Sequence, residues 1–327
     1  MENLVLLADK NSNAWDFAEK IRDYINENKK EDVALHNIPI SLFRNKEIEI
    51  NPTENLRKKD VYYIHDSTKN PQQWWVELLL IKDMALSSSA NSLTFVLPNI
   101  LYSRQDRKVK SRVPISARAL ANSISLGTKK IITMDLHSGQ IQGFYPATTP
   151  LDNLYSFPEV VRYLIKNYPE ELKNFLILSP DAGGVTRARS FLRRIEESTG
   201  NKCELAFMIK ERSRSGEIGE MRYVGPTPEG KTVFIVDDLV DSGGTLCSAA
   251  EVMKQKGASK IICYATHGLF TEGTAKFCNL FDKTLISNTH NYPNHFFEGV
   301  EVIDVSPLFA EAIYRAQKGL SISELFQ

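Results

Sequence analysis

The chain has 327 residues, which is long enough for two domains with separate hydrophobic cores. Its 40 basic residues balance its 40 acidic residues, and this zero formal net charge argues against nucleic acid or an anionic membrane as a partner. The first apolar run is too short for a signal peptide and no later run approaches the ~20 residues of a membrane span, so we expect a cytoplasmic protein.

Apolar segments of strand length alternate with helix-like segments along the whole chain. This alternation predicts an α/β fold with mainly parallel sheets flanked by helices. The strand candidates are residues 4–7, 61–64, 93–97, 131–134, 175–178, 233–236, 261–264 and 300–305.

An internal repeat favours two similar halves. Five residues, Gly127, Lys130, Ile131, Ile132 and His137, recur 130 residues later as Gly257, Lys260, Ile261, Ile262 and His267. Two helix-glycine-strand segments could also share these residues by chance. Turn formers at residues 152–158 place the boundary, which predicts domains 1–155 and 156–327 with the last helix packing back on the N-terminal domain.

A basic loop follows the strand candidate at residues 93–97. Residues 102–118, YSRQDRKVKSRVPISAR, contain six basic side chains. Arg104 and Arg107 could donate paired hydrogen bonds to phosphate oxygens, and Gln105 could bind a base or a phosphate. A solvated loop without function would have the same composition.

A histidine and an aspartate follow the next strand candidate. Residues 132–144 read ITMDLHSGQIQGF, with His137 close to Asp135. Because Mg²⁺ prefers oxygen ligands, the residues alone favour a structural role for His137 over a metal-binding one.

Two further loops have the composition of anion sites. Residues 237–245, DDLVDSGGT, follow a buried strand with paired acids, paired glycines and two hydroxyls, which together suit a phosphorylated sugar or a phosphate-bound Mg²⁺. Residues 179–189, SPDAGGVTRAR, repeat the pattern of strand, acid and paired glycines. An ordinary strand-to-helix turn with acidic capping residues is the alternative for either loop.

The segment KERSRSGEIGEMRY at residues 210–223 is rich in charge and glycine. It is typical of a mobile flap that could lay Lys210 and Arg212 on a transferring phosphoryl group. An ordinary exposed hairpin is the alternative.

Four cysteines, Cys203, Cys247, Cys263 and Cys278, lack Cys-x-x-Cys spacing and are expected to be reduced and buried.

Together these segments resemble the ribose-phosphate pyrophosphokinases, also called PRPP synthetases, of the common bacterial and eukaryotic class. The resemblance covers nearly the whole chain and includes SRQDRK, PISARALANSI, PLDNLY, ATHGLF, SPLFAEAI and SISELF besides the motifs above. It implies two tandem type I phosphoribosyltransferase-like domains, the first on the ATP side and the second holding ribose 5-phosphate. The implied reaction uses Mg²⁺ and moves the β,γ-diphosphoryl group of ATP to the anomeric hydroxyl, giving AMP and 5-phosphoribosyl 1-pyrophosphate (PRPP) for nucleotide biosynthesis.

The resemblance also implies residue roles. Lys210 and Arg212 would stabilise the transition state, and His137 and Asp181 would bind metal. ATP would be bound by Arg104 and Gln105 and, from a neighbouring subunit, by Phe43, Asn45 and Glu47. The ribose 5-phosphate residues would be Asp237, Asp238, Asp241, Ser242, Gly243, Gly244 and Thr245, and the diphosphate residues Asp181, Ala182, Gly183 and Gly184.

A neighbouring subunit's contribution implies a dimer-based homo-oligomer, with a hexamer favoured. The family's regulatory phosphate and ADP site corresponds to Asn55, Arg57, Arg112, Ser321, Ser323 and Phe326, so phosphate is a possible activator. Departures weaken these assignments: Asn55 replaces the usual serine, residues 42–47 (LFRNKE) lack the usual Ser-Asp-Gly, and Trp74 and Trp75 replace a polar pair.

Two other functions fit parts of the sequence. A phosphoribosyltransferase that consumes PRPP would share only the DDLVDSGGT segment, and the basic loop and the His137 segment argue against it. A catalytically silent family member that restrains an active synthetase usually has an interrupted flap, whereas residues 210–231 are uninterrupted here.

Overall fold

The computed structural model describes residues 1, 3–210, 221–292 and 299–326, excluding the side chain of Lys210. Its α/β chain divides into two compact units. The first unit comprises Met1–Tyr155, Asn288–Pro293 and Val305–Gln327, and the second comprises Ser156–Ser287 and Asn294–Asp304. The predicted second domain, residues 156–327, is therefore divided between the two units, because residues 288–293 and 305–327 belong to the first unit.

The first unit is built on a six-stranded parallel sheet of order β2-β1-β5-β6-β7-β8. A separate antiparallel pair, β3 and β4, forms a hairpin. The strands are β1 Leu4–Ala8, β2 Ala34–Asn37, β3 Ile40–Leu42, β4 Ile48–Ile50, β5 Asp60–Ile64, β6 Ser92–Leu97, β7 Lys130–Met134 and β8 Leu151–Leu154. The helices are α1 Ala14–Lys29, α2 Pro71–Ser87, α3 Ser116–Ser125 and α8 Ser306–Lys318, with 3-10 helices at Gly139–Phe144 and Ser323–Phe326.

Helices cover both faces of this sheet, which explains why its central strands are largely apolar without alternation. All five residues of β1 and of β5 are buried. On one face α1 packs against α8, where the rings of Phe17 and Phe309 meet edge to face at 5.3 Å. An ion pair of 2.6 Å between Lys29 Nζ and Glu311 Oε2 joins the same two helices.

The second unit contains a seven-stranded sheet of order β11-β10-β9-β12-β13-β14-β15. Every neighbouring pair is parallel except β10 with β11. The elements are α4 Phe157–Asn167, β9 Phe175–Ser179, α5 Val185–Thr199, β10 Glu204–Lys210, β11 Met221–Val224, β12 Thr232–Val240, α6 Gly244–Gln255, β13 Lys260–Gly268, α7 Ala275–Leu280, β14 Lys283–Ser287 and β15 Val300–Ile303. The predicted α/β fold with mainly parallel sheets is confirmed.

The two sheets have the same connectivity once β11 is set aside. The order β2-β1-β5-β6-β7-β8 then corresponds strand by strand to β10-β9-β12-β13-β14-β15. The repeat at 130 residues pairs β7 with β13, whereas β7 corresponds by position to β14. The matching residues are therefore a coincidence of two helix-glycine-strand segments, and the similarity of the halves lies in their strand order.

The cysteine prediction holds in part. The four cysteines form no disulfide, and Cys247 and Cys263 are buried. Cys203 is half-buried, and burial raises the pKa of its thiol to about 12. Cys278 is exposed, so the expectation that all four are buried was wrong.

Within the described ranges, no helix combines the length and apolarity that crossing a bilayer requires.

Candidate active site

The loops with anion-binding composition lie side by side at one edge of the second unit's sheet. Strands β9 and β12 are parallel neighbours, with Ile177 opposite Phe234 and Leu178 opposite Ile235. Residues that follow either strand therefore emerge at the same carboxyl edge, where open α/β sheets bind ligands. We call residues 181–184 the Asp181 loop and residues 241–245 the Asp241 loop.

Asp237 and Asp238, the acid pair, lie inside strand β12 and not in the loop after it. The strand continues to Val240, four residues beyond the predicted end at Val236. Asp238 is only 5% exposed. Its backbone N–H donates to Asp237 Oδ1 at 2.9 Å, so the pair is fixed by its own backbone.

Arg187, in the first turn of α5, contacts both members of the acid pair. Its Nη1 lies 3.2 Å from Asp237 Oδ1 and 2.9 Å from Asp238 Oδ1. Burial, together with the negative charge of Asp238, raises the pKa of Asp237 to about 8, while the Arg187 guanidinium opposes the shift. One cation thus partly compensates two adjacent carboxylates.

The Asp241 loop requires glycine at its third residue. Gly243 has φ 77° at the start of α6, and a Cβ there would lie 2.2 Å from Phe277 Cζ. A Cβ on the other glycine, Gly244, would have no atom within 4 Å, and the φ of Gly244 lies outside the left-handed region. Thr271 Oγ1 donates to Asp241 Oδ1 at 2.5 Å. The loop delivers the chain into a helix N-terminus, where backbone N–H groups favour an anion.

The Asp181 loop is closed by its own hydrogen bonds. The N–H of Gly184 donates to Asp181 Oδ1 at 2.9 Å, and Ser179 Oγ donates to the Asp181 carbonyl at 2.7 Å. A Cβ at Gly184 would lie 2.7 Å from Ser179 Oγ. Asp181, Ala182 and Gly183 are exposed at the start of α5, so this turn presents its backbone to solvent at a helix N-terminus.

In the first unit, Arg104, Gln105 and His137 lie on neighbouring loops after β6 and β7. All three side chains are exposed. Gln140 Nε2 donates to Asp106 Oδ2 at 2.7 Å and so joins the basic loop to the segment that contains His137. The parallel strands β6 and β7 bring these residues to one carboxyl edge.

Each of the two predicted metal residues could give at most one ligand to a magnesium ion, so most of the ion's ligands would come from substrate and water. Within the described residues, no cluster of three or more His, Cys, Asp or Glu side chains could hold a metal alone. Mg²⁺ keeps several waters and is usually bound through one or two carboxylates plus phosphate oxygens. The exposed Asp181 carboxylate of the second unit offers one oxygen ligand of this kind, whereas the exposed His137 of the first unit offers an imidazole nitrogen, which Mg²⁺ favours less.

Phe43, Asn45 and Glu47 lie in the turn of the β3–β4 hairpin. The Phe43 N–H donates to the Glu47 carbonyl at 2.8 Å, and the Glu47 N–H donates to Asn45 Oδ1 at 3.2 Å. All three side chains are exposed, and 49% of the Phe43 surface is accessible. The turn therefore presents an aromatic ring to solvent together with an acid and an amide.

The predicted flap falls largely outside the described residues. Strands β10 and β11 pair antiparallel up to Lys210 opposite Met221. The side chain of Lys210 and the whole of Arg212 lie outside the described part.

The predicted regulatory residues occupy three segments of the first unit. Asn55 Oδ1 accepts from the Arg57 N–H at 3.0 Å, and Ser321 Oγ and Ser323 Oγ are 2.9 Å apart. Arg112 is exposed with φ 63°, and the Phe326 ring packs on Tyr155 at 5.3 Å. Among the described residues, neither Arg57 nor Arg112 forms an ion pair with a carboxylate, and the regulatory role of these residues stays a prediction.

Two contacts at these loops escaped the sequence analysis. The ring of Trp75 meets that of Tyr102 edge to face at 4.8 Å, and its Nε1 donates to Ser123 Oγ at 2.8 Å. Trp75, which stands where the family usually has a polar residue, thus packs against Tyr102 at the start of the basic loop. The contact of Arg187 with the acid pair was also missed, although its position just after paired glycines at a strand end was a usable signal.

Comparisons with known proteins agree with these observations. The chain matches the model of the N-terminal domain of ribose phosphate pyrophosphokinase at residues 5–126 and that of the phosphoribosyl transferase domain at residues 150–282. A ribose-phosphate pyrophosphokinase of Rhizobium meliloti (strain 1021) is 38% identical over 314 residues, covering 94% of this chain and 96% of the relative. Ribose-phosphate pyrophosphokinase 2 of Schizosaccharomyces pombe is 35% identical over 299 residues, 90% of each chain.

The match extends to a solved structure. The crystal structure of phosphoribosylpyrophosphate synthetase from Mycobacterium smegmatis is similar with a TM-score of 0.81 and 29% sequence identity, covering 97% of this chain and 99% of that chain. The chain therefore belongs to the ribose-phosphate pyrophosphokinase family.

Proposed function

We propose that this protein is a ribose-phosphate diphosphokinase, which transfers the β,γ-diphosphoryl group of ATP to the anomeric hydroxyl of ribose 5-phosphate and releases PRPP and AMP. The observation that carries the proposal is the pairing of two glycine loops with an acid pair on adjacent strands β9 and β12. One loop suits the sugar phosphate, the acid pair suits sugar hydroxyls, and the other loop suits a diphosphate.

The sugar would be held through its hydroxyls and its phosphate. Ionised carboxylates only accept hydrogen bonds, so Asp237 and Asp238 can take up the ribose hydroxyls, with Asp241 nearby. The backbone N–H groups of residues 242–245 and the hydroxyls of Ser242 and Thr245 would bind the 5-phosphate at the N-terminus of α6.

The remaining residues would handle the charge of the transferred group. The Asp181 loop, with Ala182, Gly183 and Gly184, would receive the diphosphate, and Lys210 and Arg212 would stabilise the charge that develops on it. In-line phosphoryl transfer depends mainly on positioning and charge stabilisation, so no dedicated general base is needed.

On the nucleotide side, Arg104 and Gln105 would bind ATP in the first unit. His137 and Asp181 would bind Mg²⁺, which when bound neutralises phosphate charge and polarises the attacked phosphorus. The exposed turn at residues 43–47 suits an adenine-binding contribution to the partner subunit of a dimer-based homo-oligomer, for which a hexamer is our preferred state. We place the enzyme in the cytoplasm, because its four cysteines form no disulfide.

A product analysis tests this proposal. The purified chain is incubated with Mg²⁺, ATP and ribose 5-phosphate, with and without added inorganic phosphate, and the nucleotides are separated by chromatography. We expect AMP and PRPP to form in equal amounts, and a dependence on phosphate would support a regulatory role for Arg57, Arg112, Ser321, Ser323 and Phe326.

Two other results would contradict the proposal. ADP in place of AMP would identify a kinase that transfers a single phosphoryl group. No turnover of the nucleotide in either buffer would identify a catalytically silent member of the family.

A further inference from the structure

Arg187 stands between the two loops of the second unit. It lies in the first turn of α5, directly after the Asp181 loop, and its guanidinium reaches the acid pair in strand β12. Its Nη1 would be 3.7 Å from a Cβ placed on Gly184, so the side chain passes close over the end of the Asp181 loop. A single side chain thus contacts the acid pair and borders the loop of diphosphate-binding composition.

The acid pair creates an electrostatic problem for any anion that binds beside it. Asp237 and Asp238 are consecutive carboxylates, of which Asp238 is almost fully buried. Negative charges so close together repel each other and any nearby polyphosphate, because water screens them poorly in a buried position. Burial and, after it, the charge of Asp238 raise the pKa of Asp237.

Arginine is suited to serve a carboxylate pair and a phosphate group together. Its guanidinium keeps its charge at all relevant pH values and carries five N–H donors in a fixed plane. Both contacts with the acid pair are made through Nη1. These contacts hold Nη1 beside the acid pair and at the edge of the Asp181 loop.

We infer that Arg187 binds the diphosphate group of PRPP while it compensates the acid pair that holds the ribose hydroxyls. The inference deepens the proposed function and rests on it, since it concerns how the same site accepts its product. Ribose 5-phosphate lacks the diphosphate, whereas PRPP carries it on C1. Arg187 therefore affects binding of PRPP more strongly than binding of ribose 5-phosphate.

The test compares both ligands on the same protein. Isothermal titration calorimetry with Mg²⁺ gives dissociation constants for ribose 5-phosphate and PRPP on the wild type, Arg187→Gln, Arg187→Lys and Arg193→Gln. Arg193 is the matched control, because it lies on α5 with an 80% exposed side chain. Thermal unfolding shows that each variant is folded, and Arg187→Lys, which keeps the charge, carries the comparison if Arg187→Gln does not fold.

We expect Arg187→Gln to weaken binding of both ligands, because both need the acid pair, but to weaken PRPP binding by about 10- to 100-fold more than ribose 5-phosphate binding, as for loss of a charge-assisted hydrogen bond to the diphosphate. Arg187→Lys should weaken PRPP binding by a smaller factor, and Arg193→Gln should match the wild type. Equal weakening of both ligands, or no weakening of either, would overturn the inference. A wild-type protein that binds neither ligand would instead contradict the proposed function.

Discussion

The two units share one strand order but differ at the carboxyl edges of their sheets. In the second unit, β9 and β12 are followed by loops with paired glycines. The corresponding strands of the first unit are β1 and β5, and the segments after them, residues 9–13 and 65–70, contain no glycine. The same topology thus carries two glycine loops of anion-binding composition in one unit and a different arrangement in the other.

In the first unit, charged side chains that follow β1 and β5 form ion pairs within the protein at this edge. Lys69 Nζ lies 2.8 Å from Glu77 Oε2 and 3.8 Å from Asp9 Oδ2. Glu77 is fully buried, and burial raises the pKa of its carboxyl while Lys69 opposes the shift. Burial also lowers the pKa of the neighbouring His65 to about 3, so this imidazole is neutral at physiological pH.

A cation therefore bridges carboxylates at both edges, but with different consequences. Lys69 pairs with the fully buried Glu77, whereas Arg187 partly compensates two acids beside the two glycine loops. Strand order positions the residues, and loop composition decides whether the edge binds a ligand. Changes in the second unit should alter catalysis and ligand binding, and changes in the first unit's cluster should alter stability.

The largest effect is expected for Lys210→Ala. Removing a cation that stabilises transferring phosphoryl oxygens should lower kcat about 10³-fold, because such a group acts mainly in the transition state. The dissociation constant of ribose 5-phosphate should change by less than about threefold. Steady-state kinetics and calorimetry measure the two quantities, and an unchanged kcat would remove Lys210 from the catalytic group.

The next effect distinguishes the two glycines of the Asp241 loop. Gly243→Ala should weaken ribose 5-phosphate binding by about 100-fold, because its φ is 77° and the new Cβ would collide with Phe277. Gly244→Ala is the comparison: no protein atom lies within 4 Å of its Cβ position, so the loop should keep its shape and binding should weaken by a clearly smaller factor. Equal effects in calorimetry would contradict the assigned loop geometry.

A change in the first unit should act on stability. Lys69→Met leaves the buried Glu77 without its ion partner and should lower the free energy of unfolding by ~3 kcal/mol. Lys173→Met is the control, since its pair with Glu170 is exposed and should contribute less than ~0.5 kcal/mol. Denaturant unfolding measures both. A folded Lys69→Met variant with wild-type stability would show that the cluster is not structural.

The smallest effect concerns pH. The raised pKa of Asp237, about 8, means that the carboxyl becomes fully ionised only as pH rises from 7 to 9. Because ribose hydroxyls donate to the ionised form, affinity for ribose 5-phosphate should increase about tenfold over this range. Asp237→Asn should abolish the dependence. A wild-type affinity that is constant or falls between pH 7 and 9 would refute the assignment of Asp237 to the sugar hydroxyls.

The sequence was sufficient for the α/β class and the central strands, because buried parallel strands are uninterrupted apolar runs. The sequence was insufficient for the ends of strands and for short strands, because pairing with a neighbouring strand determines them. Strand β12 continues through Asp237 to Val240 because β13 pairs with it as far as Gly268, and short strands such as β2 and β8 have mixed composition.

At the candidate site, the sequence likewise did not predict which residue contacts the acid pair. Its two residues were visible as a motif, but the cation that faces it comes from a different element 50 residues earlier in the chain. Such a contact follows from the neighbouring positions of β9 and β12, which sequence periodicity does not specify. The 130-residue repeat failed for a related reason, since local similarity does not determine a strand's place in a sheet.

The central claim is that ribose 5-phosphate binds at the carboxyl edge of the second unit's sheet and not at the corresponding edge of the first unit. Its most direct test is the stoichiometry of ribose 5-phosphate binding, measured by calorimetry. The account predicts one site per chain, lost in Asp238→Asn and retained in Asp66→Asn, which changes the corresponding loop of the first unit. Two sites per chain, or a site that survives Asp238→Asn and disappears in Asp66→Asn, would contradict it.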